Sequence, residues 1–236
     1  MAQFDPPAEV HAKAIQLWLR EMQLLWVDVG TDHIRLILKR ALDVAAASAM
    51  LLFLAPLMLL VALLVSLDGA RPIFGHTRIG NGGRPFQCLK FRSMVPNAEQ
   101  ALEDLLARDA EASELWRRAR KLDQDPRVTW IGQFLRATSI DELPQLFNVL
   151  RGEMSLVGPR PVVQAELLEH YGLSAPAYMT VRPGITGLWQ VSGRSDTTYD
   201  ERVALDVEYV EKLSLRRDLR ILAKTVPEVL RRRGAR

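Results

Sequence analysis

The chain has 236 residues, of which 48% are hydrophobic and 25% charged, and its formal net charge is +3. This length and apolar content suit one well-packed core and exclude an intrinsically disordered chain. The single cysteine, Cys88, excludes an internal disulfide and fits a reducing cytoplasm.

The first predicted element is an amphipathic helix over residues 8–29. An interfacial helix lying in the membrane plane and a helix packed on a soluble core both fit its pattern, and its tryptophans favour the interface. We therefore assign residues 1–32 to an N-terminal amphipathic helix. Its broad apolar face comprises Ile15, Leu17, Trp18, Met22, Leu24, Leu25 and Trp26.

An uncharged apolar run follows from Val44 to Leu67, and its 24 residues are long enough for a transmembrane helix. Pro56 lies near its midpoint, where a proline kinks a helix, and each half reaches only part of the way through a ~30 Å hydrocarbon layer. Basic residues flank both ends, so the positive-inside rule places both ends in the cytoplasm. We predict a re-entrant hairpin over residues 33–70 that turns at Ala55-Pro56, with a kinked single span as the alternative. Asp43, at its entrance, is expected to be solvated at the interface unless it pairs with a neighbouring cation or caps the break.

The sequence Gly80-Asn81-Gly82-Gly83 lies between two short mixed runs and predicts a β-hairpin. This hairpin is expected to hold Lys90 and Arg92 near the membrane surface. Residues 97–121 predict one helix with an acidic first half and a basic second half.

The most informative stretch runs from Arg136 to Pro161. Here Asp141-Glu142 precedes Pro144 and an apolar run of helical spacing, which predicts a short helix with Asp141 as its N-cap. Acidic residues are ordinary at a helix start, so the pair alone indicates no function. Basic residues at four positions change that interpretation, because cations around carboxylates suit a polyanionic substrate bridged by a divalent metal. These residues are Lys90, Arg92, Arg136 and Arg160.

Short helical pieces are predicted over residues 162–170 and 175–178, and a glycine-rich loop follows them. Such a loop allows the backbone to approach a ligand closely, and Trp189 suits either base stacking or a structural role. Further candidate nucleotide or sugar contacts in this loop are Arg182, Gln190 and Arg194. Residues 198–236 have helical spacing and end in the basic sequence RRRGAR, which suits an anionic leaflet.

These elements predict a mainly α protein with a small β-hairpin, in the α+β class. Residues 71–236 form the predicted cytoplasmic catalytic domain, which ends in a basic interfacial helix.

Several long motifs occur in a fixed order: RIGNGGRPFQCLKFRSM, RATSIDELPQL, GEMSLVGPRP, RPGITGLWQVSGR and VALDVEYVEKLSL. Together they resemble the bacterial sugar transferase family, the monotopic polyprenyl-phosphate phosphoglycosyltransferases. The resemblance covers about Arg35 to Val229. It implies a monotopic protein with a re-entrant membrane helix on the cytoplasmic face of the bacterial inner membrane. It also implies that a sugar 1-phosphate moves from a UDP-sugar to polyprenyl phosphate with Mg²⁺.

The resemblance also implies roles for individual residues. Asp141 matches the family's nucleophile and Glu142 its partner, and the two are the expected Mg²⁺ ligands. Lys90, Arg136 and Arg160 match phosphate-contacting cations. Asp206 matches an acidic position of the LD..YV motif and is a possible substrate contact. Ala55-Pro56 departs from the Ser-Pro of small members, which leaves the geometry of the turn less defined.

We therefore expect a two-step transfer through an aspartyl-phosphosugar, with undecaprenyl phosphate as acceptor and UMP as the leaving group. Likeness favours glucose or galactose as the sugar, and confinement to a membrane is compatible with a homodimer. A non-catalytic membrane-anchored scaffold for polysaccharide assembly is the alternative. A nucleic-acid-binding module would explain the arginines but needs no carboxylate pair, so no nucleic acid is expected as a partner.

Overall fold

The computed structural model describes residues 33–119, 122, 125–193 and 197–230. Within these ranges the chain is mostly helical, with one antiparallel and one parallel pair of strands. The predicted mainly α fold with a small β-hairpin is confirmed. The predicted helix at 8–29 and the basic tail at 231–236 lie outside the described residues.

The described helices, in chain order, are α1 (His33–Val65), α2 (Ala98–Arg108), α3 (Ala110–Ala119), α4 (Trp130–Thr138), α5 (Gln145–Arg151), α6 (Gln164–Glu166), α7 (Ala175–Met179), α8 (Tyr199–Glu211) and α9 (Leu215–Leu230). The strands are β1 (Ile73–Ile79), β2 (Pro85–Phe91), β3 (Ser155–Val157) and β4 (Gly184–Thr186). A π-helical turn, Leu167–Tyr171, continues α6. Single 3-10 turns occur at Ser66–Asp68, Asn81–Gly83, Ile140–Glu142, Gly172–Ser174 and Trp189–Val191.

Helix α1 has 33 residues, and by length and composition it is able to cross a membrane. One stripe of side chains packs on the rest of the protein along most of its length, whereas the other faces expose leucine and phenylalanine. The helix continues through Pro56 without a break in its assignment, so the predicted turn at this point stays a prediction. The packed stripe, at spacings of three and four residues, consists of Asp43, Ala47, Leu51, Leu54, Met58, Val61 and Val65.

Strands β1 and β2 form the predicted hairpin, with Ile73 opposite Phe91 and Ile79 opposite Pro85. Its turn contains Gly82 and Gly83 at φ 66° and 71°, a conformation that glycine adopts without a steric penalty. The register places the side chains of β1 and β2 in direct pairs across one face. That face carries Phe74, His76 and Arg78 opposite Lys90, Cys88 and Phe86.

The acidic-to-basic segment differs from the single helix predicted over residues 97–121. It breaks at Asp109, whose backbone is extended with φ −124° and ψ 104°. The Asp109 carboxylate accepts hydrogen bonds from the amides of Glu111 and Ala112, both at 2.9 Å. The prediction was wrong because Asp109 caps a second helix, α3, instead of continuing the first.

The main hydrophobic core lies between α1, α5, β2, β3, α8 and α9. Strands β3 and β4 pair in parallel, with Ser155 opposite Gly184. Each strand has only three residues, which is too short for a periodic pattern that would have predicted it. Fully buried core side chains include Tyr209, Leu146, Val149 and Ile221.

A buried polar network joins the start of α1 to this core. Asp43, expected to be solvated, is only 6% exposed and accepts hydrogen bonds from Ser155 Oγ at 2.7 Å and the Leu156 amide at 3.1 Å. Lys39 Nζ donates to Asp218 Oδ2 at 2.7 Å and to the Val157 carbonyl at 3.0 Å. The expectation of a solvated Asp43 was wrong because β3 covers this side of α1. The alternative, pairing with a neighbouring cation, is confirmed, since Lys39 Nζ lies 4.0 Å from Asp43 Oδ2.

Candidate active site

Asp141 lies in the 3-10 turn Ile140–Glu142, between α4 and α5. Helix α5 begins only at Gln145, with Pro144 at its N-cap, so the prediction that Asp141 caps this helix was wrong. The chain reverses at Ser139, which has φ 57° and is the only described non-glycine residue with positive φ. This uncommon conformation ends α4 and allows Asp141 to follow within two residues.

Apolar neighbours on both sides of Asp141 anchor the turn. Ile140 and Leu143 pack in one cluster with Met58, Val61 and other residues of the second half of α1. Asp141 itself is 7% exposed. A carboxylate is thereby held beside the uncharged part of α1.

Lys90 faces the carboxylate pair from strand β2. Its Nζ lies 2.6 Å from Glu142 Oε1 and 3.7 Å from Asp141 Oδ2. Burial opposes the positive charge of Lys90, but Glu142 and Asp141 outweigh it and raise its pKa above the ordinary value. Burial raises the pKa of Asp141, and Lys90 opposes that rise. Lys90 therefore favours the ionised form of a carboxyl group whose burial favours the protonated form.

Asn148 fixes the position of β2, although the sequence analysis did not identify it. This residue is fully buried on α5, and its Oδ1 accepts the Leu89 amide at 3.0 Å. Its Nδ2 donates to the Gln87 carbonyl at 2.7 Å and to Glu153 at 2.6 Å. The two bonds to β2 lie on either side of Cys88 and fix the position of β2 along α5. They therefore also fix the position of Lys90, which follows on the same strand.

Arg136 adds a second positive charge near Asp141. Its Nε donates to Ser93 Oγ at 2.9 Å, and its charge lowers the pKa of Asp141, although burial prevails. This arrangement needs a close approach of α4 to the chain after β2. A Cβ on Gly132 would lie 2.0 Å from the Ser93 carbonyl oxygen, so only glycine fits there.

Arg160 lies with Arg78 on the other side of Cys88 from the acidic pair. Both arginines act electrostatically on Cys88, as do Lys90 and Glu142, and burial raises the pKa of its thiol to about 11. Arg78 pairs with Glu166 at 3.2 Å. Burial and Arg160 lower the pKa of Arg78. Positive side chains thus extend along the hairpin face from Lys90 through Arg78 to Arg160. The sequence analysis had not identified Arg78 as part of the site.

Asp206 lies beside the backbone of Arg160 and is 1% exposed. Its Oδ2 accepts the Tyr171 hydroxyl at 2.7 Å. Burial raises its pKa to about 7, against the opposing effects of Tyr171 and of the Arg160 backbone and charge. The structure therefore places Asp206 inside the protein, where it contacts the Arg160 segment instead of facing solvent.

Two arginines named as candidates lie at helix ends. Arg92 donates to Asp68 at 2.6 Å and to the Val65 carbonyl at 2.7 Å, at the C-terminus of α1. Arg182 Nε donates to the Gly152 carbonyl at 2.8 Å, at the end of α5 away from Asp141. The structure therefore brings neither side chain to the acidic pair.

The glycine-rich loop also turns its candidates elsewhere. Trp189 is 9% exposed, and the Arg202 guanidinium lies 4.9 Å from its ring centroid. Gln190 Oε1 lies against Gly187, 2.5 Å from where a Cβ would stand. Arg194 lies outside the described residues.

The acidic pair fits a magnesium ion held jointly with a substrate. No cluster of three or more His, Cys, Asp or Glu side chains capable of holding a metal occurs in the described ranges. Mg²⁺, however, usually takes one or two protein carboxylates and completes its shell with water and substrate phosphates. Asp141 and Glu142 supply such oxygens, and the position of Lys90 between them marks a point where positive charge is favourable.

Comparison with known proteins found relatives over most of this chain. The "UDP-galactose-lipid carrier transferase" of Erwinia amylovora is 51% identical over 203 residues, which are 86% of this chain and 42% of that protein. The "exopolysaccharide production protein ExoY" of Rhizobium meliloti is 52% identical over 198 residues, 84% of this chain and 87% of that one. The "UDP-glucose:undecaprenyl-phosphate glucose-1-phosphate transferase" of Caulobacter vibrioides is 44% identical over 206 residues, 81% of this chain and 69% of that protein. The chain therefore spans less than half of the Erwinia protein.

The family model for bacterial sugar transferases matches residues 34–232, which include every described helix and strand except the first residue of α1. The resemblance given by the sequence motifs is confirmed. This chain belongs to the bacterial sugar transferase family.

Proposed function

We propose that the protein transfers a hexose 1-phosphate from a UDP-sugar to undecaprenyl phosphate and releases UMP. The observation that carries the proposal is the Asp141 carboxylate, held beside α1 and facing Lys90 at 3.7 Å. The names of the relatives from Erwinia and Caulobacter refer to a UDP-sugar and a lipid carrier. By the same names, glucose and galactose are the first donors to test.

In the first step, an Asp141 oxygen attacks the β-phosphorus of the UDP-sugar. A bond forms between that oxygen and phosphorus, and the bond from phosphorus to the bridging oxygen breaks. UMP leaves with the bridging oxygen and its electron pair, so no proton needs to move. In the described part of the chain Asp141 accepts no hydrogen bond within 3.5 Å, which leaves its lone pairs available for attack.

In the second step, a phosphate oxygen of undecaprenyl phosphate attacks the same phosphorus and displaces Asp141. The product is a polyprenyl diphosphate sugar, and the carboxylate is regenerated. Packing of Ile140 and Leu143 against α1 supports this step, because a lipid-borne phosphate has to reach the nucleophile from the bilayer surface.

Positive side chains near Asp141 neutralise the negative charge of the diphosphate. Lys90 and Arg136 lie close enough to influence Asp141, and Arg78 and Arg160 continue the positive surface. Bound Mg²⁺, held by Asp141 or Glu142 together with the diphosphate, would neutralise charge that develops during transfer. Lys90 opposes the rise in the pKa of Asp141 that burial causes. Because only the ionised carboxylate attacks phosphorus, activity is expected to increase with pH as this carboxyl group loses its proton.

The packing of α1 supports a helix that enters one leaflet and does not cross the bilayer. Near its start, Arg40 donates to the Val149 and Leu150 carbonyls at 2.7 and 3.1 Å. At its end, Arg92 donates to the Val65 carbonyl, so the same domain holds both ends. A helix crossing the bilayer would carry the polar groups of that domain into hydrocarbon, at several kcal/mol each. We therefore propose that α1 lies in the cytoplasmic leaflet of the inner membrane.

The test is UMP release by the full chain in detergent, with undecaprenyl phosphate and a panel of UDP-sugars. We expect release with at least one hexose donor, and a covalent sugar-phosphate adduct on Asp141 when the acceptor is omitted. Asp141→Asn should abolish both signals. A non-catalytic scaffold would release no UMP from any donor, and near-normal turnover by Asp141→Asn would exclude the proposed nucleophile.

A further inference from the structure

A hollow of about 420 Å³ lies between helix α9 and the loop that contains the 3-10 turn Trp189–Val191. Its apolar lining comes from both elements, and basic side chains of α9 stand around it. Neither proposed catalytic carboxylate lines it. The lining residues are Leu188, Val191, Ile221 and Ala223, with Arg217, Arg220 and Lys224 as the basic ones.

The three basic side chains differ in how they are neutralised. Arg217 forms an ion pair with Glu208 at 2.6 Å. Arg220 and Lys224 are exposed, and neither has an ion pair or hydrogen bond to another described residue. Two uncompensated cations therefore stand beside an apolar depression, a combination that suits an amphiphile with an anionic head.

The position of the hollow relative to α1 favours a lipid as its occupant. Asp218 on α9 accepts a hydrogen bond from Lys39 at 2.7 Å, and Lys39 precedes the uncharged segment that begins at Val44 by five residues. From Asp218 to Lys224, α9 advances about 9 Å at 1.5 Å per residue. The basic rim therefore belongs to the helix that contacts α1 five residues before its uncharged segment.

Helix α9 also has the surface of a helix lying on a bilayer. Leu219 and Val226 are each 61% exposed, although both are large apolar residues. Such side chains suit insertion among lipid headgroups while neighbouring cations remain at the surface.

We propose that this hollow is a binding site for an anionic phospholipid, with its phosphate between Arg220 and Lys224 and part of an acyl chain against Leu188 and Ile221. The site is distinct from the catalytic one. Asp141 lies in the turn before α5, whereas Arg40 donates to carbonyls at the other end of α5 and the neighbouring Lys39 contacts α9. The occupant is thus a bilayer lipid and not the reacting acceptor.

The test measures retained phosphatidylglycerol by native mass spectrometry of the full chain in a neutral detergent. Phosphatidylcholine with the same acyl chains is the zwitterionic comparison. We expect the double substitution Arg220→Gln/Lys224→Gln to weaken phosphatidylglycerol binding about 30-fold, from the usual contribution of two cations near an anionic surface. Arg216→Gln removes an exposed cation of the same helix that does not line the hollow, and it should retain wild-type binding.

A second variant tests the apolar part of the site. Ala223→Phe fills the hollow from an exposed position while leaving both cations in place, and it should also lower phosphatidylglycerol retention. Equal retention by wild type and the double variant would overturn the proposal. An equal loss in Arg216→Gln would also overturn it, because the attraction would then be diffuse. Displacement of the lipid by about 10 mM inorganic phosphate would also overturn the proposal and identify a free-phosphate site. Binding would then depend on exposed ionic contacts alone, which are weak and screened.

Discussion

Two lysines in this molecule each face two carboxylates, but one group is closed and the other is open. Lys39, Asp43 and Asp218 have side chains only 8–12% exposed. The side chains of Lys90 and Glu142 are 35% and 37% exposed, and only the Asp141 side chain is well buried, at 10%. The same residue types therefore occur once as a packed joint and once at a surface that a ligand can reach.

Hydrogen bonding separates the two groups further. In the closed group, Asp218 accepts from Lys39 and from the Tyr209 hydroxyl at 2.8 Å, and Asp43 accepts from Ser155 and the Leu156 amide. In the open group, Asp141 has Lys90 at 3.7 Å and accepts no closer hydrogen bond from a described residue. A saturated carboxylate stabilises a fold, whereas an unsaturated one beside a cation is able to react with phosphorus.

The largest expected effect, on kcat, comes from replacing one carboxylate of each group by an amide. Asp141→Asn should lower kcat by at least about 10³-fold, because the amide is no longer an anionic nucleophile. Asp218→Asn should leave kcat of the folded protein within about threefold, since its effect is on packing around Lys39. UMP release and the midpoint of thermal unfolding, measured on both variants, check this. The comparison fails if Asp218→Asn loses activity without losing stability.

Substituting each of the two lysines should separate effects on stability from effects on activity. Lys39→Met leaves Asp218 and Asp43 buried without their cation and should lower the free energy of unfolding by about 3–5 kcal/mol. Lys90→Met removes the cation whose nearer partner, Glu142 at 2.6 Å, is 37% exposed, so it should cost less, about 1 kcal/mol. Its activity should nevertheless fall by about 100-fold, because Lys90 stabilises negative charge near Asp141. Denaturant unfolding in detergent and initial rates measure the two quantities, and similar stability losses in both variants would contradict the distinction.

Asp206 extends the comparison to a buried carboxyl group that no lysine faces. Its pKa is raised to about 7 by burial, so the unfolded chain loses this proton at lower pH than the folded chain does. Between about pH 4 and 7 the folded state therefore binds the extra proton, and this group lowers stability as pH increases. The accumulated loss is about 4 kcal/mol above pH 7.

Asp206→Asn should remove that dependence, because the amide has no proton to lose in this range. Its stability relative to wild type should therefore improve as the pH is raised from 5 to 8. Unfolding midpoints at several pH values measure the effect, and Asp200→Asn, an exposed position at the start of α8, is the control. A constant difference between Asp206→Asn and wild type would show that the carboxyl group is ionised throughout this range.

The open group was largely predictable from the sequence, whereas the closed one was not. Asp141, Glu142 and Lys90 occur in long motifs, and the Gly80–Gly83 turn predicted the hairpin that brings Lys90 into place. Lys39 and Asp218, by contrast, are 179 residues apart and belong to no shared pattern. Such a contact depends on how α1 and α9 pack, and local periodicity contains no information about that packing.

Local patterns also failed where one side chain had two possible uses. Asp109 suited the interior of an acidic helix but caps the following one, and Asp141 suited a helix cap but lies in a 3-10 turn. Asn148 gave no signal, since a buried amide among apolar residues is recognised only from its three partners on β2 and Glu153. In each case a tertiary or short-range hydrogen bond decided the structure.

The smallest expected effect concerns two arginines that the sequence did not distinguish. Arg92 and Arg136 both appeared as phosphate contacts, but Arg92 donates hydrogen bonds to Asp68 and to the carbonyls of Val65, Arg71 and Met94. Among the described residues, the Arg136 side chain donates one hydrogen bond, to Ser93, and its charge lowers the pKa of Asp141. Arg92→Gln should therefore lower the thermal midpoint and change the KM for the UDP-sugar by no more than about twofold, since its donors already have partners.

Arg136→Gln should show the reverse pattern. Removing a positive charge that is not consumed by the fold should raise the KM about tenfold, with little change in the thermal midpoint. Steady-state kinetics with a saturating lipid acceptor measure the KM, and Arg151→Gln, an exposed arginine at the end of α5 away from Asp141, controls for net charge. If Arg92→Gln raised the KM as much as Arg136→Gln, the hydrogen bonds at the end of α1 would have to open when the donor binds. Arg92 would then belong with the open group, and the end of α1 would be part of the donor site.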